Sequence, residues 1–237
     1  MNPTRTPEHR EIYAHHADQY ELLISREDFE SNIFRKLNEL ETFDEKDVIE
    51  LGTGTGRLAR MLAPTAKSVH AFDASPHMLA VAAAKLRATG LRNWRVAVAD
   101  HRRLPLPDRA ADIAISGWGL VYLVVWNEKT WERELARGLA EMVRVLRPGG
   151  SIIVLETLGT GHVTPQPPEN LVDYFSVLEQ QGFSSSWVRT DYRFESLEEA
   201  ERVVSFFFGE AMLDEVVHDE SITLPECTGI WQLKIDE

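Results

Sequence analysis

The densest chemical signal in the 237-residue chain is the run Glu50-Leu51-Gly52-Thr53-Gly54-Thr55-Gly56. Glycines at alternate positions permit positive φ and let a ligand lie directly on the main chain. The apolar run before it, Asp47 to Leu51, reads as a strand. The loop therefore falls at the carboxyl end of a strand, where open α/β sheets bind ligands. Its spacing is GxGxG, and Arg57 stands where the dinucleotide fingerprint GxGxxG has its last glycine. No Gly-Lys-Ser/Thr ending follows, so a phosphate-binding P-loop is excluded, and a loop without lysine suits a ligand without phosphates. Seventeen residues beyond Gly56, Asp73 closes a second apolar run. A carboxylate there can accept two hydrogen bonds from a ribose diol. Its other reading is an acid at a helix N-terminus, favoured by the dipole.

These residues need a scaffold, and the rest of the chain supplies a recurring strand–helix pattern from about residue 47 onward. A short helix carries Leu58, Met61 and Leu62 on one face before Pro64, and Ser68 to Phe72 forms the second strand. Ser75 is a candidate N-cap, with Pro76 at the first helical position and Gly90 beyond the last turn. Strands are expected at Arg95–Ala99 and Asp112–Ser116, followed by a long helix with Leu135, Leu139, Met142, Val143 and Leu146 on one stripe. Arg147-Pro148-Gly149-Gly150 reads as a turn into a fifth strand, Ser151–Leu155. A Pro-rich loop (164–168), a helix (about 170–181), one alternating strand (184–194), a helix opened by the capping-box spacing Ser196–Glu199 and a strand near 230–235 complete the pattern. The 45 or so residues ahead of the first strand read as helical, with Ile33, Leu37 and Leu40 at helical spacing, and suit a lid over the carboxyl edge of the sheet.

The order Glu-Leu-Gly-Thr-Gly-Thr-Gly, Asp73, Asp100 and Arg147-Pro148-Gly149-Gly150 before a strand resembles the class I S-adenosylmethionine-dependent methyltransferases over roughly residues 45–160. It is closest in flavour to the bacterial small-molecule group that includes the quinone-biosynthesis C-methyltransferases. The resemblance implies a doubly wound α/β fold: a seven-stranded, mostly parallel sheet with helices on both faces, an antiparallel last strand and an N-terminal helical lid. It also implies one domain over residues 1–237, with the lid at 1–45, the cofactor core at 46–160 and acceptor-side elements at 161–237. S-adenosylmethionine is the implied cofactor. By the same resemblance Glu50 orients the methionine amino group, while Gly52, Thr53, Gly54 and Gly56 line the methionine and ribose portions. Asp73 and Ala74 lie at the ribose, Met78 near the adenine, Asp100 at the adenine amino group with His101 beside it, and Ser116 and Gly117 under the methionine portion. Met78 has an ordinary place in the helix core as its alternative, and His101 a place in a solvated loop. Thr53 departs from the cysteine or alanine of many relatives.

Methyl transfer is an in-line displacement from a sulfonium that already carries its charge, so alignment and exclusion of water matter most. A general base is needed only where the acceptor must lose a proton, and no residue is assigned that role. Acceptor-side candidates are Tyr13, His15, His16 and Tyr20 in the lid, Trp118, Leu120 and Tyr122 after the fourth strand, Glu156 after the fifth, and Phe206 to Phe208. Tyr20, Trp118 and Tyr122 are the ones expected to line the substrate site; core packing is the alternative for each. The Asn/Asp-Pro-Pro-Tyr/Phe motif of enzymes that methylate nucleic-acid amino groups or glutamine is absent, since Ser116-Gly117-Trp118-Gly119 stands in its place. Gly119-Leu120 matches the quinone enzymes, but Val121-Tyr122 replaces their Arg-Asn.

A formal net charge of −13 argues against nucleic acid, which calls for a basic stripe. The single cysteine, Cys227, excludes an internal disulfide and a thiolate metal cluster, and no metal site is expected. Residues 1–10 are polar, without the apolar stretch of a signal peptide, and no run approaches the roughly 20 apolar residues that cross a bilayer. A cytoplasmic protein acting on a small-molecule acceptor is the resulting expectation. Methylation of a protein side chain, a non-catalytic S-adenosylmethionine-binding module and a nicotinamide oxidoreductase are the alternatives.

Overall fold

The computed structural model describes residues 9–236; most of the polar N-terminal stretch lies outside them. In chain order the elements are α1 (His9–His15), α2 (Ala17–Arg26), α3 (Asn32–Leu40), β1 (Asp47–Leu51), α4 (Arg57–Leu62), β2 (Ser68–Asp73), α5 (Pro76–Ala88), β3 (Trp94–Val98) and β4 (Ala111–Gly117). There follow α6 (Val121–Val125), α7 (Trp131–Val145), β5 (Leu146–Thr160), α8 (Val172–Gln180), β6 (Ser184–Arg189), β7 (Tyr192–Phe194), α9 (Leu197–Phe208), β8 (Val217–His218), β9 (Ile222–Leu224) and β10 (Glu226–Lys234).

Seven strands make the main sheet in the order β3-β2-β1-β4-β5-β10-β6. The first five pair in parallel, and β10 runs antiparallel to both β5 and β6. Alternation along the strands sorts side chains to the two faces. Ile49, Leu51, Ile152 and Val154 pack with α6, α7 and α8, while Val48, Ile153 and Leu155 pack with Ile33, Leu37, Leu58 and Leu62 of α3 and α4. This is the doubly wound α/β sheet with an antiparallel strand that the family resemblance implies.

Three local readings differ. Arg147 to Gly150 is an irregularity inside β5 rather than a turn before it: the register against β4 jumps from Ala111↔Leu146 to Ile113↔Ser151, with Gly149 at φ 76°. The same strand runs on to Thr160, because β10 gives it an antiparallel partner as far as Glu226. The alternating run 184–194 splits into β6 and β7, which join different sheets. At the split, Thr190 leaves the ladder to hydrogen-bond Thr228 through their hydroxyls at 2.7 Å. β7, β9 and β8 form a small second sheet that α9 covers with Ala200, Val203 and Val204, closing a satellite core with Leu23 of α2. The Ser196 hydroxyl caps α9 by accepting from the Glu199 amide at 3.1 Å, and Ser75 caps α5 the same way from Met78 at 3.3 Å.

The helices ahead of β1 divide between two tasks. Helices α1 and α2 lie against α5 and α9 at the carboxyl edge, whereas α3 is a layer of the core with Ile33 and Leu37 fully buried. Leu37→Ala should therefore cost about 2–5 kcal/mol of unfolding free energy, through lost burial and the cavity left behind. Urea titration measures this, and a loss below about 1 kcal/mol would be a surface response.

Candidate functional site

Between β1 and β4 the strand order reverses, and the two carboxyl ends open a crevice there. The glycine loop enters it so closely that a Cβ on Gly52 would stand 2.9 Å from the Gly119 Cα and 3.2 Å from the His101 ring. Gly52 (φ 71°) and Gly54 (φ 52°) both lie in the left-handed region that only glycine occupies freely. The loop is tied to the end of β2: the Gly54 amide donates to Asp73 at 2.9 Å, and the Ser75 amide donates to the other carboxyl oxygen at 2.7 Å.

These elements enclose a cavity of about 110 Å³ lined by Gly52, Gly54, Asp73, Ala74, Met78, His101 and Gly117, with Tyr13 and Tyr20 from α1 and α2 as its roof. Met78 is both buried core and cavity wall. Burial holds the His101 imidazole below its usual range, with Asp73 and Asp100 opposing, so the ring is neutral near pH 7.

The remaining expected cofactor residues stand behind the wall. Glu50 is 2% exposed and accepts from the Thr53 hydroxyl at 2.8 Å; burial pushes its carboxyl up to about 7. Ser116 donates to the Leu51 carbonyl at 3.0 Å, and Gly56 brings α4 against Ala82 of α5, where a Cβ would meet the Ala82 Cβ at 2.9 Å. Asp100 is turned aside: Arg102 holds both of its oxygens, and these bonds bring its carboxyl down to about 2.

A second cavity of about 260 Å³ abuts the first. Tyr13, Tyr20, Trp118 and Tyr122 line both, which brings the three expected substrate-side residues together at the junction. Trp118 sits at φ 51°, a left-handed conformation costly for a bulky residue, with the Arg57 guanidinium 4.9 Å from its ring centroid. The hydroxyls of Tyr13 and Tyr122 hydrogen-bond each other across the junction.

The larger cavity is apolar over most of its wall, including Phe207 and Phe208, but three buried carboxyls line it. Glu27 pairs with Arg57 at 2.7 Å. Glu156, fully buried, accepts from the Val121 amide at 3.0 Å and the Tyr174 hydroxyl at 3.1 Å, both on one oxygen. Glu226 accepts from the Thr157 hydroxyl at 2.7 Å. Burial pushes Glu156 to about 8, and burial together with the Glu27 charge does the same to Glu226, against opposition from Thr160 and Thr157. Besides the four junction aromatics, Glu156 and the phenylalanines had a sequence signal. Glu27 lies 165 residues before Tyr192 and 199 before Glu226, and nothing in their local spacing draws them out. Among the described residues, no three His, Cys, Asp or Glu side chains stand close enough to hold a metal ion, and no helix is long and apolar enough to cross a membrane.

Comparison with known proteins agrees with this geometry. Residues 48–150 match the methyltransferase domain family. Over 127 residues the chain is 40% identical to demethylmenaquinone methyltransferase of Thermus thermophilus, covering 52% of this chain and 50% of that protein. Over 116 residues it is 37% identical to malonyl-(acyl-carrier protein) O-methyltransferase of Serratia marcescens, covering 49% and 40%. The chain thus spans about half the length, or less, of these two curated relatives. A SAM-dependent methyltransferase from Aquifex aeolicus superposes with a TM-score of 0.58 at 18% identity, over 91% of this chain and 97% of that one. The crevice and its cavity thus lie largely within the segment, residues 48–150, that matches the methyltransferase domain family, on a fold shared with the Aquifex aeolicus structure.

The Glu156 carboxyl gives a test of the cavity's dryness. Its pKa is raised in the folded state, so the associated stability is fully present below the ordinary value of 4.5 and is lost as pH rises through about 8. Melting temperature should fall between about pH 5 and pH 9, and Glu156→Gln should flatten that fall; parallel profiles for the two proteins would mean that water reaches the group.

Proposed function

We propose that this protein transfers a methyl group from S-adenosylmethionine, held in the smaller cavity, to a small-molecule acceptor held in the larger one. The observation that carries the reading is the contact between the two cavities at Tyr13, Tyr20, Trp118 and Tyr122. A donor and an acceptor seated on either side of one aromatic junction meet the chief requirement of an in-line displacement, which is alignment without water.

The residues present fit the donor. Asp73 keeps lone pairs for a ribose diol beyond the two amides it already accepts, and the glycine loop leaves main chain open to the methionine portion. Met78 offers an apolar contact to a purine, and neutral His101 a polar one. Asp100 would have to exchange Arg102 for the adenine amino group. The donor supplies the electrophilic methyl. This chain's part is to bind, orient and keep the junction dry, and a walled chamber rather than a flat open face favours a small acceptor over a protein side chain.

Calorimetric titration with S-adenosylhomocysteine should give binding, while NAD gives none. Asp73→Ala should weaken that binding by about 1.5–3 kcal/mol, the loss of charge-assisted hydrogen bonds. Unchanged affinity in the variant would remove the ribose assignment, and a clear NAD signal would remove the donor.

A further inference from the structure

Two oxygens in the larger cavity have no hydrogen-bond partner: Oε2 of Glu156 and Oε2 of Glu226. The residues that carry them are 0% and 2% exposed, and both line the chamber wall. Buried polar atoms are nearly always satisfied, and an orphaned carboxyl oxygen in an apolar setting is unfavourable unless something meets it. The third carboxyl, Glu27, is paired with Arg57, so two acids stand without a basic partner, and burial holds both largely protonated near pH 7. Among the described residues, no lysine, arginine or histidine lines the chamber. An anionic acceptor would find no counter-charge there, and no group of three ligands exists for a divalent cation among the described residues.

Glu226 reaches the chamber wall from the start of β10. It is opposite Thr160 on the β5–β10 ladder and beside Glu27, whereas Glu156 lies nearer Tyr122 at the junction. On the reading of this chamber as the acceptor site, we propose that the acceptor is a cationic amine: a mainly apolar molecule whose ammonium group seats on the unpartnered carboxyl oxygen of Glu226. Its body then lies along Phe207, Phe208 and Leu171 and extends toward Glu156 and Trp118. The ammonium supplies the missing donor to Oε2 and draws the otherwise protonated Glu226 carboxyl into its ionised form, and the apolar body fills the rest of the wall.

The full chain is titrated calorimetrically with phenethylamine, phenethyl alcohol and phenylacetate, with and without S-adenosylhomocysteine. The amine should bind about tenfold or more tightly than the alcohol, the scale of one charge-assisted hydrogen bond, and phenylacetate should not bind. Glu226→Gln, checked for an unchanged melting profile at acid pH, should erase the preference for the amine. The wild-type series reads the same question should that variant fold poorly. Equal binding of amine and alcohol, preference for phenylacetate, no binding of any probe, or a preference that survives in Glu226→Gln would each overturn the proposal. Binding of S-adenosylhomocysteine with no amine preference would sink this inference and leave the donor reading standing. Amine preference without S-adenosylhomocysteine binding would do the reverse.

Discussion

The close approach of two main chains at the carboxyl edge sets the terms for everything around it. Gly52, after β1, and Gly119, after β4, meet backbone to backbone, and a Cβ on Gly119 would stand 2.8 Å from the Ser116 hydroxyl and 3.0 Å from the Leu51 carbonyl. With no side chains between them, the loops after these strands converge on one small volume, and His101 and Asp73 close its sides. Were either glycine to carry a side chain, the loops would part and the cavity wall would go with them. Glu50, Thr53, Gly56 and Ser116 belong to this constraint: they fix the loop from behind the cavity wall.

The second cavity depends on the first. Its near wall is the aromatic junction, and its far wall is an insertion between β6 and β10, where β7, α9, β8 and β9 build a satellite core against α2. That core is a few residues thick, yet it buries enough apolar surface to hold Tyr192 and the Phe207–Phe208 pair over the chamber. Buried acids and a left-handed tryptophan are unfavourable features, and the main sheet and its core carry them: Trp118 packs on the core beside β4, and Glu156 and Glu226 stand on β5 and β10.

How much of this was legible in the sequence follows from the range of the interactions. The glycine loop, the caps at Ser75 and Ser196 and the strands of alternating apolar residues are local patterns, and their physical cause lies within a few residues. The split of the 184–194 run was not legible, because Thr190 is held by Thr228 and by the Asp28 amide, both remote in sequence. Nor was the length of β5, which is set by its antiparallel partner. Glu226 looks like an ordinary acid beside a proline until β5 and the lid surround it. Asp100 shows the opposite limit: its competitor, Arg102, lies two residues away, and only the folded turn decides that the pair forms.

Tyr13 and Tyr20 belong to both cavities at once, and that has a kinetic consequence. A shared roof cannot lift from one chamber and stay down on the other, so exchange of either ligand passes through the same displacement of α1 and α2. On the proposed reading, arrival and departure at the two sites are then coupled through that roof rather than independent equilibria. The contacts of α1 and α2 with α5 and α9 are the ones such a displacement would break.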